Sequence, residues 1–189
     1  MSDKKRYPYQ DAIAVAGELL SLLEQHCHRI VIAGSLRRRK ADVGDIELVY
    51  LPRMGERAVD LLAKESYSIA DAAIDNMTRS GFITKRPNIN GVFTWGAKNK
   101  LAVHAASGIP VDFFAVPEEK NWWVSLVVRT GGKETNLKLT TTGAQRLGRS
   151  LNAYGCGVTC SDYSISPATS EEDVFRLCGV PYQDPEKRT

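Results

Sequence analysis

The sequence predicts an α+β protein: a mixed β-sheet flanked by helices over residues 1–117, then a small α/β unit over residues 118–189. Three observations predict it. Apolar residues recur at helical spacing between residues 11 and 25. Short β-prone runs bounded by Gly, Pro and Asn recur between residues 29 and 116. After Pro117 the pattern returns to helices, arranged around Gly131-Gly132.

In the first helix, residues 11–25, Ala12, Ile13, Ala16, Leu19, Leu20 and Leu23 form one stripe with Glu18 and Glu24 off it, as expected of a helix packed on a core. Residues 29–33 are a short apolar run ended by Gly34. Gly44 introduces a second run that closes at Leu51, before Pro52 and Gly55. Side chains alternate along a strand, so Asp45, Glu47 and Val49 share one face and Ile46, Leu48 and Tyr50 the other. The expectation is one core face and one charged face.

Helices over residues 56–64 and 69–77 follow. Strands over 82–84, 92–95, 101–104 and 111–116 then read as a meander completing the sheet, with Asp112 the sole carboxylate in the last. Beyond Pro117, residues 121–128 and 136–147 read as helices, and 151–154 and 158–159 as short strands. A final helix over 171–177 starts with Thr169 and Glu172 in capping-box spacing and stops at Gly179, with Pro181 beyond it.

A chain of 189 residues accommodates one domain, or two lobes sharing a core. Its 43% hydrophobic and 25% charged content is that of a soluble globular protein. Net charge is only +3, so contacts with nucleic acid would come from local clusters: Lys4-Lys5-Arg6, Arg37 to Lys40, and Lys98 with Lys100. Taken alone, each reads equally well as a solvated face. No segment has the length of a secretory signal core or a membrane span, which points to an intracellular protein without a membrane partner. Cys27, Cys156, Cys160 and Cys178 are then expected as free thiols. The spacing of His26, Cys27 and His28 is wrong for a tetrahedral zinc site.

The chemistry concentrates between residues 32 and 49. Gly34 lets a phosphate approach the backbone, Ser35 offers a hydroxyl and an N–H, and Arg37, Arg38 and Arg39 can grip phosphate oxygens. Carboxylates at i and i+2 of a strand lie roughly 7 Å apart on one face. Asp45 and Glu47 are so placed, and Asp112 on a neighbouring strand would complete a set able to hold two hard cations. Magnesium suits such oxygen ligands, with manganese as a substitute.

In this order, Gly34-Ser35 followed ten residues later by Asp45-Ile46-Glu47 resembles the signature of the polymerase beta nucleotidyltransferase superfamily, and Leu36-Arg37-Arg38-Arg39-Lys40 between them narrows it to the family X DNA polymerases. Val111-Asp112-Phe113 is similar to that family's third-carboxylate strand. Thr130-Gly131-Gly132 with Asn136 resembles its nucleotide-binding turn, and Leu151-Asn152-Ala153-Tyr154-Gly155 its Leu-Asn-Glu-Tyr-Gly strand. The resemblance runs from about residue 10 to 188.

It implies a nucleotidyltransferase palm over 1–117 and a thumb- or fingers-like nucleotide-binding subdomain over 118–189, without the family's lyase and helix-hairpin-helix regions. The implied activity is DNA-directed DNA synthesis at short gaps in repair, by a monomer, on gapped primer-template with deoxynucleoside triphosphates and two Mg²⁺ or Mn²⁺ ions. Asp45, Glu47 and Asp112 would be metal ligands. Gly34, Ser35, Arg38, Gly131, Gly132 and Asn136 would hold the nucleotide; Lys98, Lys100, Lys133 and Lys138 are candidates for DNA phosphates, or for plain solvation.

Five residues depart from the family pattern. Glu47 replaces Asp, Val128-Arg129 a Tyr-Phe pair, Thr140 an Arg that tracks the template, and Pro110 an Arg beside the third carboxylate. Two other functions therefore stay open: nucleotidyl transfer to RNA, protein or a small molecule, and a weakly catalytic binder of DNA gaps or ends. Tyr7, Trp95, Trp122 and Trp123 read as core or as base-stacking residues, and His104 as a strand residue without chemistry.

Overall fold

The computed structural model describes residues 5–59 and 63–189. The chain opens with a short strand, β1 (Tyr7–Pro8), and the helix α1 (Tyr9–Leu23), whose Ala12, Ala16, Leu19 and Leu23 are buried as the stripe predicts. β2 (Cys27–Ile32) runs into a single helical turn, α2 (Gly34–Arg37), and β3 (Asp42–Val43) pairs back with β1. β4 (Ile46–Pro52) follows.

Next comes a hairpin of β5 (Met54–Ala58) and β6 (Lys64–Ser68), where the sequence predicts a helix over 56–64. Residues 60–62 of that expectation lie outside the described residues. The charges that resemble the polar face of a helix pair across two strands: Arg57 lies opposite Glu65 at 3.0 Å, and Lys64 reaches Glu56 at 3.1 Å. α3 (Ile69–Arg79) is capped by Ser68, whose hydroxyl accepts the Asp71 N–H.

β7 (Ile83–Lys85), β8 (Asn99–His104) and β9 (Pro110–Ala115) complete the sheet. The expected strand over 92–95 is instead a loop with isolated bridges. The Asn88 side chain accepts the N–H groups of Asn90 and Val92, and Gly91 takes φ +77°, which turns the chain before a ladder can form. Sheet order is β2-β4-β9-β8-β7, with β4 and β9 parallel and every other pair antiparallel. It is a mixed sheet flanked by helices, as the sequence predicts.

α4 (Trp122–Thr130) covers the sheet, and α5 (Lys133–Leu137) follows the Gly131-Gly132 peptide, which is cis. The expected long helix over 136–147 is broken. The Thr140 and Thr141 hydroxyls donate to the carbonyls of Asn136 and Leu137, at 2.8 and 2.7 Å, where the ladder widens into a π-type turn over Lys138–Ala144. β10 (Ser150–Leu151) is shorter than expected because the Asn152 side chain accepts the Tyr154 N–H and turns the chain. β11 (Gly157–Thr159) pairs with β10 and with an unexpected β12 (Ile165–Pro167). In α6 (Glu171–Leu177) the cap lies one residue later than predicted: Ser170 accepts the Asp173 N–H, and Asp173 accepts from Thr169.

One core fills the face of the sheet against α1 and α3, around Leu19, Ile46, Leu48, Ile74 and Phe113. Opposite it, Ala33, Val49, Leu51, Phe114, Trp122 and Leu126 form a second cluster. The expected charged face of β4 is thus charged only around Asp45 and Glu47; Val49 and Leu51 are covered by α4. A third cluster gathers Val124, Val127, Leu139, Val158, Val174 and Phe175. Trp122 is core, whereas Trp95 donates its Nε1–H to Asp75 at 2.8 Å beneath the Lys85 ammonium. All four cysteines are free, with Cys27 and Cys178 buried. No helix among the described residues is long and apolar enough to cross a membrane.

Candidate active site

The end of β2, the α2 turn and the start of β4 form one tight unit. The Ala33 N–H donates to the Glu47 carbonyl at 2.8 Å, and Gly34 follows with φ +61°. A Cβ built on Gly34 would run into the Glu47 carboxylate. Glycine is therefore needed here twice, for its backbone conformation and for the space its missing side chain leaves.

Parallel pairing of β4 with β9 puts Glu47 directly in register with Asp112. Asp45 lies just before the start of β4, near enough for its charge to act on Glu47. Burial, and then the charges of Asp45 and Asp112, push the Glu47 carboxyl up to about 8; Arg129 and Arg38 pull the other way. A cluster under that much repulsion favours a cation, and its oxygen donors are those magnesium takes. Among the described residues no three His, Cys, Asp or Glu side chains close into a ready cage.

The two halves of the candidate nucleotide site meet at Arg38. Its Nη1 donates to the Thr130 carbonyl, and a Cβ on Gly131 would come within 3.0 Å of it. Arg37 donates to Thr130 Oγ1 at 2.7 Å and to Glu171 at 2.5 Å. Glu171 also pairs at 3.2 Å with Arg188, which is fully buried. Gly132 lies against the backbone of Thr189, whose carbonyl accepts the Thr135 N–H at 2.8 Å. Asn136 donates Nδ2 to the Val128 carbonyl at 2.9 Å.

Among the described residues, three buried side-chain polar atoms lack a hydrogen-bond partner: Arg38 Nε, Asn136 Oδ1 and Asn121 Oδ1. Two of them fall in the candidate nucleotide site, one donor and one acceptor. Leaving such groups unpaired costs about 1–3 kcal/mol each, which a polar ligand would recover. Ser35 sits partly exposed in α2, next to Gly34.

Of the four lysines considered for DNA, Lys133 and Lys138 are exposed, and Lys98 is exposed with its ammonium over the Tyr154 ring at 5.1 Å. Lys100 is a correction: it is 4% exposed and directs its ammonium to the Gly96 carbonyl at 2.9 Å and to Asp71 at 3.0 Å. Its position inside the sheet leaves no path to a phosphate.

Sequence reasoning missed Arg86, and gave Arg129 as a departure from the family pattern without its partners. Arg86 forms an ion pair with Asp112. Arg129 stacks its guanidinium on Phe114 at 3.8 Å and donates to the Tyr154 hydroxyl at 2.8 Å, which in turn donates to Asn99 at 2.6 Å. Both contacts join residues far apart in sequence, so no local spacing betrays them. A groove of about 530 Å³ between α1, β2 and α4 includes none of the three carboxylates in its lining.

The segment that supplies Thr130 to Asn136, Tyr154, Glu171 and Arg188 matches a family model, DNA polymerase beta thumb, over residues 125–189. Over that third of its length the chain is similar to the thumb of family X polymerases. No curated protein matches the chain. The thumb thus contributes Gly131, Gly132 and Asn136 to the candidate nucleotide site, while Gly34, Ser35, Arg38 and the three carboxylates come from the sheet that precedes it.

Proposed function

We propose that the protein is a metal-dependent DNA polymerase that fills short gaps, adding deoxynucleotides to a primer 3′-hydroxyl. The observation that carries this reading is the junction at Arg38. There the turn that carries Gly34 to Arg38, beside in-register Glu47 and Asp112, touches the Thr130-Gly131 segment of the stretch similar to a polymerase beta thumb.

In this reading the primer 3′-oxygen forms a bond to the α-phosphorus of the triphosphate as the bond to pyrophosphate breaks. Ser35 and the Arg38 Nε–H take phosphate oxygens, and the Gly131-Gly132 turn lies against the sugar. Asn136 Oδ1 meets the edge of the base, with Nδ2 held by the Val128 carbonyl. Asp45, Glu47 and Asp112 would hold two Mg²⁺ ions, which when bound would neutralise charge on the attacking and leaving oxygens. The residues themselves contribute chiefly orientation.

Primer extension on gapped DNA with magnesium or manganese tests the proposal: the wild type extends and Asp45→Ala does not. No extension by the wild type, or equal extension by the variant, would refute it. A second reading, nucleotidyl transfer to an RNA end, a protein or a small molecule, is favoured by Val128-Arg129, since Arg129 is committed to Phe114 and Tyr154. Labelled triphosphates offered with each acceptor separate the two readings by where the label goes.

A further inference from the structure

Asp112 lies in a row of residues that crosses four strands. Glu47 on β4 is in register with Asp112 on β9, and Asp112 with Leu101 on β8. The Arg86 N–H, just past the end of β7, donates to the Leu101 carbonyl at 3.0 Å and extends the row. From there the Arg86 side chain spans two strand spacings, about 10 Å, over Leu101 to reach Asp112 Oδ1 through Nη2. On the way its Nε–H donates to the Ala102 carbonyl at 3.2 Å. The pair is well shielded, with 23% of the Arg86 side chain and 14% of the Asp112 side chain exposed.

β9 has no basic residue of its own beside this carboxylate; Asp112 is flanked by Pro110, Val111 and Phe113. The guanidinium comes from another strand and is fixed before it arrives. With its backbone tied to Leu101 and Nε tied to Ala102, Arg86 has little freedom left, and Nη2 holds one Asp112 oxygen in one direction. A carboxylate so held keeps one direction instead of sampling rotamers, as partners behind metal-binding groups ensure.

We propose that Arg86 is the positioning residue for Asp112, setting the carboxylate that receives a divalent cation and faces the primer hydroxyl. The inference rests on the nucleotidyl-transfer reading above. It differs in sign from a simpler role. A guanidinium that merely offsets negative charge would compete with a cation, so removing it would tighten metal binding. A guanidinium that orients the ligand would, on removal, loosen it.

The test is Mn²⁺ binding to the full chain, followed by electron paramagnetic resonance, for wild type, Arg86→Met, Arg86→Lys and Asp112→Asn, with each melting temperature measured without metal. The expected result is about 10- to 100-fold weaker Mn²⁺ binding in Arg86→Met, with partial recovery in Arg86→Lys and a melting temperature close to wild type. In primer extension the loss should fall on kcat, with the triphosphate KM little changed. Unchanged or tighter Mn²⁺ binding in Arg86→Met, while Asp112→Asn binds weakly, overturns the inference and leaves the polymerase reading standing. Weakening in proportion to a lowered melting temperature, with no recovery in Arg86→Lys, assigns the pair a purely structural role and also overturns it. Wild-type protein that binds no Mn²⁺ overturns both.

Discussion

The Glu47 carboxylate occupies the space where a side chain on Gly34 would begin. The two residues are separated by a turn and a short strand, yet the conformation of one is the boundary of the other. Gly34→Ala should therefore lose on two counts: about 1–2 kcal/mol for a Cβ at positive φ, and displacement of the carboxylate. Glu47→Asp, one methylene shorter, withdraws from that space. The double variant should be less damaged than the two single losses summed, a coupling that chemical denaturation of the four proteins measures directly. Strict additivity would mean the two residues do not meet.

Glu171 lies between Arg37 at 2.5 Å and Arg188 at 3.2 Å, with 7% of its side chain exposed. Glu171→Gln would leave two guanidinium groups facing one another in a buried place, and should cost about 3 kcal/mol or more. Burial favours the neutral acid, but the hydrogen bond from Arg37 and the charge of Arg188 overcome it and hold this carboxyl below its ordinary 4.5. A folded value below the unfolded one means that the unfolded chain binds more protons in that interval. The stabilisation is complete above about pH 4.5 and is lost as pH falls through the folded value. Denaturation midpoints of wild type and Glu171→Gln should thus stand well apart at pH 7 and converge in acid.

Arg129 ties the helix α4 to the sheet through Phe114 and to the β10–β11 connection through Tyr154. Tyr154→Phe removes only the hydroxyl and should cost about 1 kcal/mol. Arg129→Met keeps much of the apolar stem and loses the charge. Because Arg129 is among the groups that pull the Glu47 carboxyl down, its loss should raise that carboxyl further. Carbon-13 NMR of the Glu47 side chain in metal-free protein would read the change, and a titration that stays put would disprove the coupling.

Asn136 has one hydrogen bond made and one buried oxygen waiting. Asn136→Asp keeps the oxygen and surrenders the amide; Asn136→Ala surrenders both. If Oδ1 awaits the edge of a base, Asn136→Ala should raise the triphosphate KM about 5- to 100-fold, the range for an unpaired buried acceptor. A KM equal to wild type would remove Asn136 from the nucleotide site.

Much of this arrangement was legible in the residues, and the reason is local. The stripe of α1 and the Gly34 stop each encode their geometry within a few positions and stand in the fold as read, whereas β4 begins one residue after Asp45 and carries only Glu47 of the expected pair. The misreadings came where contacts between distant segments decided the outcome. The β5–β6 hairpin was hidden because its charges pair across strands, a pattern that on one chain looks like a helix face. Lys100 looked like a surface cation until Asp71, on another element, closed over it. Arg86 carried no signal, and Arg129 only that of a departure from a family pattern, since the partners of each lie on other elements.

The bond between Arg37 and Glu171, and from Glu171 to Arg188, has a temporal side. The three carboxylates and the Gly34-to-Arg38 turn are synthesised by residue 112, but the residue that completes their buttress, Arg188, comes 76 residues later. A ribosome adding about 5–20 residues per second would hold the first part of the site for several seconds before its brace emerges. During that interval the sheet can fold while the nucleotide pocket is still half built. Nascent chains arrested before residue 188 should bind triphosphate poorly however well the sheet has formed.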